Sequence, residues 1–339
     1  MKMKHINIPV FVPHMGCPNK CVFCDQRAIS GVRLFDPEDA VRTVETHLAT
    51  APGDAEVEIA FFGGSFTGID RRLMISLLDM AQGYVRDGKV AGIRMSTRPD
   101  YIDREIVNIL KEYAVTAVEL GVQSMNGDVL SASKRGHTPE DSRRAFRLLR
   151  EAGIASVGQM MVGLPMSTRE DEILTAEEIC ASGASGSRIY PTVVFENTEL
   201  YGMMRAGKYT PLTVGDAVSR SADALYVFAS HGVPCLRVSL YGGDTPGGGE
   251  AAAGPLHPAL GELVLGEYYR RLITEKLDAL TARGKPSRVT VFVPKGDVSA
   301  AIGHRGANRV YFSSRYGDLK IIFLEKEDII RYNLILEVS

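Results

Sequence analysis

Residues 5–24 of the chain, HINIPVFVPHMGCPNKCVFC, place a short apolar run directly before three cysteines. The apolar run is typical of a β-strand, and Cys17, Cys21 and Cys24 follow it in a CxxxCxxC pattern. Three thiolates this close in sequence can converge on one metal centre, because soft sulfur ligands favour zinc or an iron–sulfur cluster. The stretch therefore predicts a strand that leads into a metal-binding loop.

The residues alone leave two kinds of metal centre open. A structural zinc site needs a fourth ligand, which His5 or His14 could supply. A cubane iron–sulfur cluster with three protein ligands instead leaves one iron open, where a substrate or cofactor can coordinate.

Beyond this strand, apolar runs rich in valine and isoleucine alternate with amphipathic stretches that begin at a capping residue. Asp36, Asp70, Asp103 and Thr138 are the capping residues that open four of the predicted helices. The alternation predicts six consecutive βα units, as in a doubly wound sheet or an incomplete barrel. The predicted strands are residues 5–12, 57–62, 92–96, 115–121, 155–161 and 187–193.

Polar and glycine-rich motifs follow the predicted strands, at the end of the sheet where ligands bind in both architectures. After the cysteine cluster they are Gly63-Gly64-Ser65, Ser96-Thr97-Arg98, Gln123-Ser124, Gly163-Leu164-Pro165 and Tyr190-Pro191.

These motifs resemble those of the radical S-adenosylmethionine (SAM) superfamily. The cysteine loop has an aromatic residue, Phe23, before its last cysteine, and FFGGSF at residues 61–66 is similar to the glycine motif that holds the SAM amino group. Ser65 stands where many members have an acidic residue or threonine. In order and spacing, STRPDYI (96–102), ELGVQS (119–124), KRGHT (134–138) and YPT (190–192) resemble the radical-SAM half of the Elongator catalytic subunit, which modifies wobble uridines in transfer RNA.

The resemblance implies an α/β fold, a partial (βα)6 barrel of radical-SAM type, and an enzyme that cleaves SAM to a 5′-deoxyadenosyl radical. It implies that Cys17, Cys21 and Cys24 ligate a 4Fe-4S cluster, and that an external donor such as flavodoxin or ferredoxin reduces it. Arg135 is expected to pair with the SAM carboxylate, since a guanidinium can bind both oxygens. The expected cofactor-binding residues are Phe23, Gly63, Gly64, Ser65, Gln123, Ser124, Arg135 and Gln159, with Tyr190 as a catalytic candidate.

Two features depart from the Elongator subunit, which has a longer gap before its second cysteine and an acetyltransferase domain. Neither feature is found in this sequence. The carboxymethyl-type chemistry of that relative is therefore not carried over.

The C-terminal stretch, residues 288–323, predicts a strand, a helix, a GxxG turn, a second helix and a strand, which resembles the minimal KH nucleic-acid-binding motif. In that motif the GxxG loop, here Gly303-His304-Arg305-Gly306, packs against the backbone of about four nucleotides. Residues 283–339 hold ten Lys and Arg against six Asp and Glu, so this segment has a net charge of +4, although the whole chain has a net charge of -2. We therefore expect RNA, in particular transfer RNA, as the partner.

The predicted domains are a radical-SAM partial barrel (1–235), a glycine-rich loop with a helical extension (236–284) and a KH-like α+β domain (285–339). Helices are expected at 214–231 and 259–282, a short strand at 235–240, and a mobile loop at 242–249. Cys180 and Cys235 are expected in the core, because neither has a CxxC partner.

The composition, with 45% hydrophobic and 24% charged residues, is that of a globular protein. No apolar run approaches the roughly 20 residues of a membrane helix, and no secretory signal is recognised, so a cytoplasmic protein is expected.

Two other functions stay open at this point. One is radical-SAM chemistry on a small molecule such as a tetrapyrrole, with His257 and the glycine-dense loop in its pocket. The other is a non-catalytic iron–sulfur protein that binds RNA.

Overall fold

The structure is a computed structural model that describes residues 5–12, 17, 21–24, 35–239, 251–282, 284 and 286–338. The predicted mobile loop at 242–249 and His14 lie outside the described residues.

The strands that precede the C-terminal unit are β1 (His5–Phe11), β2 (Glu56–Phe62), β3 (Gly92–Thr97), β4 (Val115–Gln123), β5 (Ala155–Val162), β6 (Gly186–Pro191), β7 (Val194–Phe195), β8 (Cys235–Val238) and β9 (Ala251–Ala253). Seven of them form a parallel sheet at the centre of the molecule, with neighbours in the order β1-β2-β3-β4-β5-β6-β8. All six predicted strands are confirmed, and the short strand predicted at 235–240 becomes the seventh, beside β6. The other two strands, β7 and β9, pair antiparallel as a separate ribbon.

Four helices that follow strands begin directly after the predicted capping residues. Asp36, Asp70, Asp103 and Thr138 each accept a hydrogen bond from a backbone N–H of the first helical turn. Each cap satisfies an N–H that has no partner inside the helix. The helices are α1 (Pro37–Leu48), α2 (Arg71–Arg86), α3 (Arg104–Lys111), α4 (Gly127–Ala132), α5 (Pro139–Glu151), α6 (Arg169–Ala181), α7 (Glu199–Arg205), α8 (Val214–Ser230) and α9 (Leu260–Thr281).

The core lies between the sheet and these helices. Strand residues such as Ile59, Ile93 and Leu120 are fully buried, and Leu78 of α2 and Phe146 of α5 pack against the same cluster. Because helices cover the sheet, its strands are apolar runs, as expected for parallel strands. Charged residues within such strands consequently need a partner inside the fold.

A smaller α+β unit completes the chain. It consists of β10 (Arg288–Val293), α10 (Val298–Ile302), a 3-10 turn (His304–Gly306), α11 (Ala307–Tyr316), β11 (Lys320–Glu325) and β12 (Ile335–Val338). The predicted order of strand, helix, GxxG turn, helix and strand is observed. Strand β10 pairs parallel with β11 and antiparallel with β12, which the sequence did not predict. Helix α9 packs against α8 on one side and α10 on the other, so it joins this unit to the barrel.

None of the described helices has the length and apolar composition needed to cross a bilayer.

Candidate active site

A cavity of about 330 Å³ opens at the carboxyl ends of the parallel strands. Each strand of the main sheet contributes a wall residue near its end, as in other parallel α/β folds whose ligands bind there. Eleven of the twelve residues predicted for the cluster, the cofactor and the catalytic role line this cavity. They are Cys17, Cys21, Cys24, Phe23, Gly63, Gly64, Ser65, Gln123, Arg135, Gln159 and Tyr190.

The twelfth, Ser124, is buried beside the cavity and not among its lining residues. Its hydroxyl accepts a hydrogen bond from the Asn126 N–H at 3.1 Å, within the turn that leads into α4. The structure therefore places Ser124 where it orders the turn.

The three cysteines differ in exposure, with Cys21 buried, Cys17 half-buried and Cys24 exposed. The segment that carries Cys21 and Cys24 is fixed by backbone hydrogen bonds, because Val22 donates to the Ser133 carbonyl and accepts from the Leu200 N–H. The Val22 side chain packs into a small apolar cluster with Leu200 and neighbouring residues. The loop is thus held between α4 and α7, with its thiols at the cavity.

Arg135 connects the cysteines to the end of β4. Its Nη1 donates to the Cys21 Sγ at 3.6 Å, and its Nη2 donates to the Gly121 carbonyl at 2.9 Å. The third nitrogen, Nε, is buried and its N–H has no hydrogen-bond partner among the described residues. A buried donor without a partner is costly, so this N–H marks a position for an acceptor in the cavity.

The end of β4 departs from regular strand geometry. Gln123 has a φ of 64°, and the register between β4 and β5 shifts between Gly121 and Gln123. Gln159 Nε2 donates to Gln123 Oε1 at 3.5 Å across the two strands. A Cβ at Gly121 would lie 2.7 Å from Arg135 Nη2 and 2.9 Å from Gln123 Nε2, so any larger residue there would displace the ends of these two side chains. Positive φ in a non-glycine residue is sparsely populated and is concentrated at functional sites.

A second arginine near the cysteines is Arg98, which also lines the cavity. Its guanidinium is 1% exposed and donates two hydrogen bonds to Asp100, at 2.8 and 2.9 Å. Burial lowers the pKa of Arg98, but the Asp100 carboxylate and the nearby Cys17 and Cys21 thiols more than offset this and raise it. Two guanidinium groups, those of Arg98 and Arg135, therefore lie near the Cys21 thiol.

A buried ion pair in the cavity wall was missed by the sequence analysis. Arg188 of β6 donates to Glu119 of β4 through Nη2 at 2.8 Å, its Nε lies 2.8 Å from the other oxygen of that carboxylate, and its Nη1 lies 3.4 Å from the Tyr190 hydroxyl. Burial raises the pKa of Tyr190, which keeps the phenol neutral. The signal that could have found the pair is a charged residue inside each of two apolar strands, VELGV and SRIY.

His137 is held close to this region but outside the cavity. Its Nε2–H donates to the Val122 carbonyl at 3.1 Å, which ties the loop carrying Arg135 to β4. Burial and the charge of Arg135 lower the pKa of His137 to about 3, so its imidazole is neutral at physiological pH.

The structure contradicts one of the roles left open for the histidines. His5 pairs with Glu58 at 2.6 Å, at the start of β1, whereas the cysteines follow its end, and a strand of this length spans about 20 Å. His5 therefore cannot supply a fourth zinc ligand. His257 is not among the residues that line this cavity in the described part of the chain, and the glycine-dense loop expected beside it lies outside the described residues.

The donor set fits an iron–sulfur cluster with SAM beside it. No group of three or more His, Cys, Asp or Glu side chains in the described ranges is close enough to hold a single metal ion. The three thiols instead share one cavity with the Gly63–Gly64 backbone and the unpartnered Nε–H of Arg135. Gly63 has a φ of 95°, which side-chain-bearing residues rarely adopt, and a Cβ there would come within 3.2 Å of Phe11, so glycine is favoured at this position.

Comparison with protein families agrees with this geometry. A family model described as the radical SAM superfamily matches residues 11–179, and a second, described as the radical SAM C-terminal domain, matches residues 184–270.

Two curated relatives come from Methanocaldococcus jannaschii. An uncharacterized protein is 29% identical over 238 residues, which are 66% of this chain and 72% of that protein. A tRNA uridine(34) acetyltransferase is 36% identical over 244 residues, which are 60% of this chain and 45% of the relative. The chain thus spans less than half the length of that acetyltransferase.

Among solved structures, Methanocaldococcus infernus Elp3 with an N-terminal deletion has a TM-score of 0.61 to this chain at 23% identity. The similarity covers 82% of this chain and 64% of that one, and it shows that the two share a fold.

Proposed function

Because this chain belongs to the radical SAM superfamily, we propose that its cavity holds a 4Fe-4S cluster and SAM and that the enzyme modifies RNA, in particular transfer RNA. The superfamily itself implies SAM and an iron–sulfur cluster. The observation that carries the finer proposal is that three thiols, a glycine backbone and an unpartnered arginine N–H line one cavity.

Cys17, Cys21 and Cys24 would hold the cluster, with one iron left for the amino and carboxylate groups of SAM. When bound and reduced by an external donor such as flavodoxin or ferredoxin, the cluster supplies the electron that cleaves SAM into methionine and a 5′-deoxyadenosyl radical able to take hydrogen from a substrate.

The protein's own residues would bind and orient SAM. The Arg135 Nε–H would donate to the SAM carboxylate, since its other two nitrogens already bond to Cys21 and Gly121. The Gly63–Gly64 backbone lines the cavity and would face the amino group. The amides of Gln123 and Gln159 contact each other in the wall and extend the polar side of the pocket.

Apolar walls would exclude water from this chemistry. Phe11, Phe23, Phe62, Met161 and Phe195 line the cavity beside the polar groups. Exclusion of water protects a reactive intermediate from side reactions. Tyr190 stays a catalytic candidate, since its hydroxyl lies in the wall and is neutral.

The RNA substrate is supported by two observations. A curated relative is named as a tRNA uridine(34) acetyltransferase. The GxxG turn, Gly303–Gly306, has the backbone that such a turn needs, with positive φ at Gly303, Arg305 and Gly306, and it carries Arg305 exposed at its tip. Glycines let a phosphate backbone approach, and the basic side chain attracts it.

The cluster assignment is tested by Cys21→Ala. We expect this variant to lose iron and sulfide after anaerobic reconstitution, because the loss of one of three thiolate ligands leaves the cluster unsupported. Cys180→Ala is the matched control, since Cys180 is a half-buried thiol on α6 outside the cavity and burial raises its pKa to about 11. Normal iron content in Cys21→Ala would refute the assignment.

A further inference from the structure

The GxxG turn does not stand alone on the surface, because a histidine from another part of the chain packs on it. His304, the first middle residue of the turn, has its ring edge-on to the ring of His257, with centroids 5.7 Å apart. His257 precedes α9, in the segment that leads from β9. Two imidazoles and the Arg305 guanidinium thus belong to one surface, which we call the histidine–turn surface (His257, His304 and Arg305).

The base of the turn is fixed to α9. Asn308 Nδ2 donates to the Gly266 carbonyl at 2.8 Å and to the Ala301 carbonyl at 3.1 Å. Gly303 packs so closely under Asn308 that a Cβ would lie 2.7 Å from its backbone nitrogen. The Gly306 N–H closes the turn by donating to the Gly303 carbonyl at 2.8 Å. The turn is therefore anchored to a helix that also packs on α8 and β8 of the barrel.

The segment before His257 is fixed to the cavity wall. Strand β9 pairs with β7, whose Phe195 lines the cavity. Gly254 lies against the backbone just beyond β6, where a Cβ would come within 3.0 Å of the Thr192 carbonyl. Only Pro255 and Leu256 separate this contact from His257. A strand of RNA held at the histidine–turn surface would therefore lie at a defined position relative to the cavity.

The imidazole of His257 accepts a hydrogen bond from a backbone N–H, which determines the nitrogen that carries its proton. The Ala259 N–H donates to its Nδ1 at 3.1 Å, so Nδ1 carries no proton and the neutral ring carries its proton on Nε2. No hydrogen bond to this Nε2–H is found in the described part of the chain. A neutral N–H that packs against a turn carrying an exposed arginine suits a phosphate oxygen, which can accept from both groups.

We propose that His257 is an RNA-contacting residue contributed from outside the KH-like segment, donating its Nε2–H to the phosphate backbone held by the GxxG turn. This proposal rests on the proposed RNA substrate. It assigns the partner as an RNA backbone and extends the contact from the turn toward the barrel.

The test measures the binding of labelled bulk transfer RNA to the full chain over a range of salt concentrations. We expect His257→Ala to weaken binding by about tenfold with an unchanged salt dependence, because a neutral donor releases no counterion. Arg305→Ala should weaken binding and reduce the slope of log K against log salt by about one.

Two substitutions at His257 separate hydrogen bonding from packing. His257→Gln keeps an N–H donor and should bind within about threefold of the unaltered protein, whereas His257→Phe keeps the edge-on ring contact without a donor and should bind like His257→Ala. Recovery of binding in the phenylalanine variant would overturn the proposed hydrogen bond. His231→Ala, at the exposed C-terminus of α8, is the matched control for the loss of a histidine.

The outcomes separate this inference from the function on which it rests. If Arg305→Ala weakens binding and His257→Ala does not, the role of His257 is refuted and the RNA substrate stands. If the unaltered protein binds no transfer RNA, the RNA substrate itself is refuted.

Discussion

At the scale of single residues, Arg135 is held between the cysteine loop and the end of β4. Two of its nitrogens are bonded to Cys21 and Gly121, and the third is buried with no hydrogen-bond partner among the described residues. The side chain is thus positioned before any cofactor is bound, which reduces the ordering that binding must impose.

We expect Arg135→Gln to weaken SAM binding by about 10- to 100-fold, since a hydrogen bond to a charged group contributes roughly 1.5–3 kcal/mol. The measurement is the SAM dissociation constant of the reconstituted protein, with iron content checked in parallel. Arg143→Gln is the control, because Arg143 pairs with Glu178 on the surface. An unchanged dissociation constant would show that Arg135 does not contact the cofactor.

A second prediction concerns His137 and the pH dependence of the free energy of unfolding. Its pKa is lowered to about 3 in the fold, mainly by burial, so the unfolded chain binds a proton on this residue near pH 6.5 and the folded chain does not. This residue therefore lowers the free energy of unfolding as the pH falls, by about 2 kcal/mol between pH 7 and pH 5.

His137→Gln should make the free energy of unfolding less dependent on pH over this interval, because glutamine can donate to the Val122 carbonyl but does not titrate. Urea denaturation of both proteins at the two pH values measures the difference. Equal pH dependence in the two proteins would mean that His137 is not buried in its neutral form.

The sequence predicted the residues of short local motifs and missed those that depend on distant partners. The cysteines and Arg135 could be found because motif spacing is written along the chain. The positive φ of Gln123 and the Glu119–Arg188 pair could not, since each depends on how neighbouring strands are registered.

At the scale of secondary structure, caps and hydrophobic alternation predicted most elements. The helices opened by Asp36 and Thr138 begin where expected, because a side chain that satisfies the first N–H groups is a local signal. The short helices α4 and α7 and the strand β7 were missed. Each is held by tertiary contacts, such as the Leu200 N–H bond to Val22 of the cysteine loop.

Helix α6 carries a buried carboxylate that fixes the loop after β5. Glu172 accepts from the Gly163 N–H at 2.6 Å and from Arg220 Nε at 2.8 Å, and it is 2% exposed. We expect Glu172→Ala to lower the free energy of unfolding by about 3 kcal/mol, because the half-buried Arg220 charge and the Gly163 N–H would both lose their partner.

Chemical denaturation measures this loss, and Glu178→Ala on the same helix is the control. Glu178 pairs with Arg143 at the surface, where an ion pair contributes less than about 1 kcal/mol. Similar losses in the two variants would contradict the assignment of Glu172 as the anchor of this loop.

At the scale of the whole molecule, the chain combines a barrel with a cavity at its strand ends and a basic α+β unit fixed beside it through α9. The order of elements in this unit was predictable, but its contact with the barrel was not. The His257–His304 contact joins residues 47 positions apart in the sequence, and no local pattern specifies it.

This combination makes the central claim testable by one assay. The reconstituted, reduced protein is incubated anaerobically with SAM, and 5′-deoxyadenosine is measured with and without bulk transfer RNA. The account predicts SAM cleavage that rises when the RNA is added. Cleavage indifferent to RNA would contradict the RNA substrate and favour a small molecule, and no cleavage by a loaded cluster would contradict the proposed chemistry itself.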